Sequence, residues 1–351
     1  MYETGIKSKE RVSHKIKPPG AYPESRPGFT DIIGTINKAE NAFKEPHYEL
    51  IAPDKLVDGE KKNKQKKSSK EENQVKEKTL DELLEDLDSL VGLDNIKQNV
   101  KSLINYVKIR DLREENELPN PPLSLHMIFT GNPGTGKTTV ARILSELYKA
   151  IGVLSKGQLV EVDRSGLVAG FVGQTAIKTS DAVSDALGGI LFIDEAYALA
   201  PEAGASNDFG REAIETLIKL MEDNRNDLIV IVAGYNEPME RFIASNPGLE
   251  SRFNRYFIFE DYNSNELFDI FDTMCRQSEY ILTDDAIEYA REYFNRIYET
   301  RDSNFSNARN ARNFFENIVS VHSDRISLIN GHTRDDLITV ILSDLEIATE
   351  A

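Results

Sequence analysis

Residues 131–138 read Gly-Asn-Pro-Gly-Thr-Gly-Lys-Thr. Gly131, Gly136, Lys137 and Thr138 stand at the fixed positions of G-x-x-x-x-G-K-[ST], a spacing suited to a polyphosphate. Glycines let the backbone turn its N–H groups inward, and the start of a following helix adds a favourable dipole. Asn132, Pro133, Gly134, Thr135, Gly136, Lys137, Thr138 and Thr139 are therefore the candidate phosphate cradle. Lys137 is expected to bridge the outer phosphates, and the Thr138 hydroxyl to bind Mg2+.

Further along, the apolar run Ile190–Ile193 ends in Asp194-Glu195. Such a pair at the carboxyl end of a strand neighbouring the first suits phosphoryl chemistry, because successive strand residues point to opposite sides. Asp194 is assigned to the metal and Glu195 to polarising the attacking water. The next apolar run ends near Tyr235-Asn236. Asn236 is a candidate for contact with the terminal phosphate or the water, with Tyr235 as its competitor. The plainer reading of Asn236 is a helix cap.

These groups need a scaffold. Apolar strand-like runs at 124–131, 159–163, 189–196, 227–235 and 255–261 alternate with helical patterns, which implies a mostly parallel sheet with crossover helices. Two helices are expected before the first strand, broken at Val91-Gly92-Leu93-Asp94. From Ser264 onward only helices are expected, over 264–278, 284–299, 307–328 and 334–347. The fold class is α/β: a P-loop NTPase with a five-stranded parallel sheet and flanking helices over 79–262, then a small all-α lid over 263–351. Residues 1–78 read as an irregular tail with a Lys-rich linker. Within that tail Ile32, Ile36, Ala39 and Phe43 fall on one helical face.

Composition narrows the function. The formal charge of the 351 residues is −17; residues 1–78 hold 17 basic and 13 acidic side chains, the rest 25 and 46. A body this acidic repels nucleic-acid backbones, so no nucleic-acid partner is expected. No apolar window is long enough to span a membrane. The single cysteine, Cys275, fits a reducing, cytoplasmic setting. The five histidines show no metal-ligand spacing.

With these residues in place the sequence resembles the AAA+ ATPases, and more narrowly the CbxX/CfqX branch that includes stage V sporulation protein K-like ATPases and red-type rubisco activase. The matching text includes "LVGLDNIKQNV", "SLHMIFTGNPGTGKTTVARIL", "ALGGILFIDEAYAL", "IVIVAGYNEPM", "SNPGLESRFNRYFIFEDY" and "NARNARNFFE". The resemblance implies ATP and Mg2+ as cofactors. It places Val91 and Gly92 against adenine and Arg309 near the terminal phosphate, with Arg312 as a second candidate. It also makes Arg252 and Arg255 arginine fingers acting on the next subunit's ATP. It further implies a homo-oligomer, usually a hexamer. Phe171 and Val172, between glycines, would grip a protein substrate in a pore; packing of Phe171 into a core is the alternative. The expected function is a ring-forming ATPase that remodels or threads a protein. The competing expectation is an ATP-gated scaffold that recruits partners through residues 1–78.

Overall fold

The computed structural model describes residues 78–121, 124–171, 173–200 and 209–350. The helical face expected around Ile32–Phe43 lies outside them. Among the described residues two helices come first, α1 (Leu80–Ser89) and α2 (Asp94–Glu115). Thr79 starts α1 with a reciprocal cap: its hydroxyl accepts from the Glu82 amide while the Glu82 carboxylate accepts from the Thr79 amide. The turn between them passes through Leu93, whose left-handed φ of 58° redirects the chain into α2.

The sheet follows. Its strands are β1 (Met127–Gly131), β2 (Leu159–Val162), β3 (Ile190–Ile193), β4 (Ile229–Gly234) and β5 (Arg255–Phe259), all parallel, in the order β2-β3-β4-β1-β5. Helices α3 (Lys137–Ala150), α4 (Arg164–Leu167), α5 (Gln174–Ala186), α6 (Phe209–Asp223), α7 (Asn236–Ala244) and α8 (Pro247–Arg252) connect them. β1, β3 and β4 are buried at every position, as expected for parallel strands covered on both faces. Side-chain alternation divides the core. Met127 and Phe129 pack with the helices α1, α2 and α3, whereas Ile128 packs with α5, α6 and α7. Phe129 is the hub of its layer, with ring centroids 5.3 Å from Phe257 and 5.0 Å from Phe259.

Two expectations change here. β4 lies between β1 and β3, so the strand carrying Asp194-Glu195 is two positions from the phosphate loop, a gap of about 10 Å. Strand order is a long-range property that local spacing does not encode. In addition, Asp194 and Glu195 lie beyond the end of β3, and Glu195 has φ 48° and ψ 42°. A left-handed turn, not strand alternation, separates the two carboxylates.

After β5 the chain enters the lid: α9 (Ser264–Gln277), β6 (Ile281–Leu282), α10 (Asp284–Glu299), α11 (Ala308–Ser327), α12 (Arg334–Ile338), β7 (Thr339–Val340) and α13 (Leu342–Glu350). Its core centres on Phe271, Phe294 and Phe314, with Tyr293 stacked on Phe314 at 4.0 Å. The single helix expected over 334–347 is instead two, split by β7. Thr339-Val340 pairs in parallel with Ile281-Leu282, and β-branched residues favour that extended form. Asp344 then anchors α13 by accepting from Arg325 Nε at 2.7 Å and from the Ile341 amide at 3.1 Å. Cys275 is buried in this core, which pushes its thiol up to about 12. Among the described residues no helix is long and apolar enough to cross a membrane.

One buried group makes the sheet sensitive to acid. His126, 5 % exposed, accepts the Val230 N–H on Nδ1 at 3.0 Å. Burial first, then the nearby Arg252 charge, lowers the imidazole from 6.5 to about 4. A depressed folded value means this stability is full above the unfolded value and is lost as pH falls through the folded one. Chemical denaturation should therefore show about 3 kcal/mol lost through this group between pH 6.5 and 4. His126→Gln should flatten that part of the slope; an unchanged slope would remove His126 as its source.

Candidate active site

β1 delivers the chain to the phosphate loop, and α3 begins at Lys137 with Gly136 as its N-cap residue. Gly134, at φ 71°, is packed under the lid. A Cβ there would fall 2.4 Å from the Ser306 carbonyl oxygen and 2.9 Å from the Arg309 amide nitrogen. Only glycine permits both the conformation and the approach. Thr135 is fully buried and its hydroxyl donates to the Asn132 carbonyl at 2.8 Å, fixing the loop from within.

Lys137 Nζ donates to the carbonyls of Gly131 and Asn132, each at 2.8 Å. Burial pushes this ammonium down to about 8. That value is the net of the burial, the opposing pull of Asp194, the repulsion of Arg309 and the attraction of Asp261. A partly desolvated cation of this kind is well matched to phosphate oxygens.

A cavity of about 610 Å³ opens above the carboxyl ends of β1, β3 and β4 and reaches under the lid. Its charged wall consists of Lys137, Arg309 and Arg312 facing Asp194 and Glu195. Three cations are thus gathered in a strongly acidic body, which suits a polyanion. Its other end is lined by Leu90, Val91 and Leu93 from the α1–α2 turn and by Ile270 and Met274 from α9. Leu93 packs against both the sheet core and the lid core, so this apolar end is built from both parts. It suits a flat heterocycle. Gly92 makes the turn beside Val91, close to Tyr262 and Glu266.

The expected site residues distribute as follows. Pro133, Gly134, Gly136, Lys137, Thr138, Thr139, Asp194, Glu195, Val91 and Arg309 all line the cavity, and so does Arg312. Asn132 instead turns its amide to Asp261, at 2.9 and 3.1 Å from the two carboxylate oxygens. Asn236 is exposed at the start of α7 and does not line the cavity, whereas Tyr235 does. Nor is Asn236 the cap of α7; that position is Tyr235.

Arg252 and Arg255 lie away from the cavity. Arg255 Nε donates to the Ser124 carbonyl at 3.0 Å, ahead of β1. Arg252 reaches the Gly248 carbonyl at 3.3 Å and Glu222 at 3.4 Å. Its Nε is buried with no partner among the described residues, so these long contacts leave donor capacity over. Phe171 is 72 % exposed; Val172 lies outside the described residues.

Sequence reasoning missed four residues. Tyr197 sits against Gly234, where a Cβ would come 2.7 Å from its ring, and 6.1 Å from the ring of Tyr235. Burial first, then the neighbouring Glu195 charge, raises its hydroxyl to about 12. The other three are Asp261, Tyr262 and Asn307. Asn307 is fully buried with φ 49° and ψ −126°, a conformation that costs of order 1–3 kcal/mol for a non-glycine residue. An Asn before a helix reads as a cap, yet its side chain makes no cap bond to α11. It donates to Asp261 at 2.7 Å, across 46 residues of sequence.

Known proteins resemble this chain in sequence and fold. Residues 127–261 match the model of the ATPase family associated with various cellular activities (AAA), and residues 263–351 match the AAA lid domain. The chain is 40% identical to stage V sporulation protein K of Bacillus subtilis (strain 168), over 80% of this chain and 87% of that one. It is 38% identical to a chloroplastic ribulose bisphosphate carboxylase/oxygenase activase of Cyanidioschyzon merolae, over 78% and 94%. It is 41% identical to the plasmid-encoded protein CbxX of Cupriavidus necator, over 75% and 83%. Among solved structures, a point mutant of Thermotoga maritima RuvB aligns with a TM-score of 0.52 at 17% identity, covering 75% of this chain and 71% of that chain. That likeness concerns the fold alone. With a phosphate loop, paired carboxylates and lid arginines around one cavity, the chain belongs to the AAA ATPase family, alongside the sporulation protein K and CbxX proteins, and is an ATP hydrolase.

Proposed function

We propose that this ATPase works as a ring of identical subunits, usually six in its family, in which each Mg·ATP is shared between neighbours and its hydrolysis remodels a protein gripped at the pore. The observation that carries the reading is the position of the two arginines. Arg255 pairs with Met127 at the start of the strands, four register steps before Gly131 pairs with Phe259. That is about 13 Å of strand between Arg255 and the phosphate loop, and Arg255 points back to Ser124. Neither arginine serves its own cavity. A second copy's cavity is the natural partner, and a head-to-tail contact of this kind closes into a ring when repeated.

Within one cavity the proposed roles are supported by where the residues lie. Thr138 and Asp194 would hold Mg2+, the cation taking its remaining oxygen ligands from phosphates and water. Among the described residues no cluster of three or more acidic, His or Cys side chains offers a dedicated metal cage, which suits a cation that arrives with its nucleotide. Bound there, Mg2+ would neutralise charge on the transferred phosphoryl group. Lys137 and Arg309 bind phosphate oxygens. Glu195 accepts a proton from the attacking water, and Tyr235 or Asn236 at the end of β4 orients it. Val91 and Leu93 hold the adenine.

Phe171 supports the protein-remodelling part. It is a large exposed aromatic, and the glycines on either side have open space around them. Such a side chain grips peptides with little sequence preference. The acidic body and the buried single thiol favour a protein substrate and a cytoplasmic setting.

Lys137→Ala should abolish ATP binding in a fluorescent-nucleotide titration, and retained affinity would contradict the phosphate assignment. Glu195→Gln should still bind ATP but lose about 10²–10⁴-fold in turnover; native turnover would strip Glu195 of its role. Arg252→Ala and Glu195→Gln proteins, each inactive alone, should regain ATPase activity when mixed, because a mixed ring holds intact composite sites. Mixtures that assemble by light scattering yet stay inactive would defeat action between subunits. Phe171→Ala should keep ATPase activity but lose remodelling of a protein substrate. Remodelling at the native rate would favour a nucleotide-gated scaffold instead.

A further inference from the structure

The junction between phosphate loop and lid is held by a polar cluster in which Asn307 is fully buried and Asp261 and Asn132 are half-buried. Asp261, between β5 and α9, accepts from Asn132 of the loop and from Asn307 at the start of α11. The Asn307 amide also donates to the carbonyls of Phe305 at 3.0 Å and Pro133 at 3.3 Å, while its carbonyl oxygen accepts the Tyr262 N–H at 2.9 Å. The Ala308 N–H donates to the Gly134 carbonyl at 3.2 Å, and the Tyr262 hydroxyl to the Thr135 carbonyl at 3.3 Å.

These bonds fall on three consecutive peptide units. The carbonyls of Pro133, Gly134 and Thr135 belong to the same planes as the N–H groups of Gly134, Thr135 and Gly136. A trans peptide is rigid, with its C=O and N–H on opposite sides. A donor on one side of each plane therefore governs the direction of the N–H on the other. Those three N–H groups are the ones a phosphate loop offers to its ligand. The donors come from Tyr262, Asn307 and Ala308, which are hinge and lid residues. Arg309, two residues past Asn307, lines the cavity itself.

We propose that Asp261 and Asn307 are positioning residues that lock the start of α11, and with it Arg309, to the peptide planes of the phosphate loop, so that nucleotide held by the loop sets the angle of the lid. The proposal rests on nucleotide binding in the cavity, not on ring formation or threading. Simple adhesion would be achieved as well by apolar contacts, which avoid the partial desolvation of the Asp261 charge. A directional, fully satisfied network fixes one geometry instead. The unfavourable backbone of Asn307 has the same explanation. It is the conformation that brings the side-chain amide and the Ala308 N–H onto the loop together.

The test uses hydrogen exchange on the full chain with the Mg2+ complex of adenosine 5′-(β,γ-imido)triphosphate. In the native protein the analogue should slow exchange both in the phosphate loop and in the first turns of α11. Asp261→Asn and Asn307→Asp should each weaken analogue binding about tenfold, within the roughly 5–150-fold range of such couplings. At saturating analogue the loop should still respond in each variant, while the α11 response is lost. The double variant, Asp261→Asn with Asn307→Asp, restores a donor facing an acceptor between these two positions but not the bonds to Pro133 and Phe305, so its loss should stay below the product of the two singles without returning to the native value. Single variants that keep native affinity and a native α11 response would overturn the proposal, as would a double variant no better than the product of the singles. If Asn307→Asp does not fold by circular dichroism, Asp261→Asn alone gives the same two outcomes. A native phosphate loop that ignores the analogue would instead overturn the nucleotide reading of the cavity, and the lid proposal with it.

Discussion

A half-buried ammonium in an acidic protein organises this molecule. Lys137 is held by carbonyls of its own loop, and desolvation weakens its hold on its proton. An anion that reaches it regains what burial removed, so ligand charge and site charge are matched at one point. The other parts are placed relative to that point. β1 carries the loop in, β3 and β4 end beside it with Asp194, Glu195 and Tyr235, and α11 hangs Arg309 over it. The five parallel strands turn their carboxyl ends to the same side, so every connection that leaves there can contribute to the cavity.

The parts legible in the sequence were those fixed locally. The phosphate loop follows from the spacing of glycines and a lysine, because a strand-loop-helix unit spans few residues. The acidic pair after an apolar run was also legible, and so were the five strands of the large sheet and the longer helices. What needed the structure was long-range. Nothing local to Ile190–Glu195 says that β4 intervenes between β3 and β1. The 129 residues between Asn132 and Asp261 hide their hydrogen bonds, and Asn307 looks like an ordinary cap. The split of the last lid helix arose from pairing with Ile281-Leu282, more than fifty residues away. Tertiary contact overrode helical periodicity there.

The opposite ends of the sheet have opposite tasks. Carboxyl ends collect groups that meet a nucleotide, whereas the amino ends carry Arg255, tied to Ser124 and lying 6.0 Å over the ring of Tyr106. A guanidinium presented there, beside the exposed Tyr106 and Tyr256, cannot take part in chemistry at its own cavity. The polarity of a parallel sheet thus separates what a subunit receives from what it offers, and in the ring proposed above a molecule arranged this way is complete only beside a copy of itself.

The junction of body and lid combines two kinds of contact with different mechanical consequences. Leu93 joins the apolar cores of both parts, and apolar contact is non-directional, so surfaces can slide on one another with little penalty. The Asp261 cluster is directional and half-buried, and its bonds are either made or broken. An apolar seam alone would leave the lid at many angles of similar energy, and a polar seam alone would make any movement costly. In the coupling proposed above, the two together would give the lid a small number of well-defined positions. That is what a cavity needs if hydrolysis within it is to become a change of shape, because packed interfaces of this kind switch between arrangements and do not deform continuously.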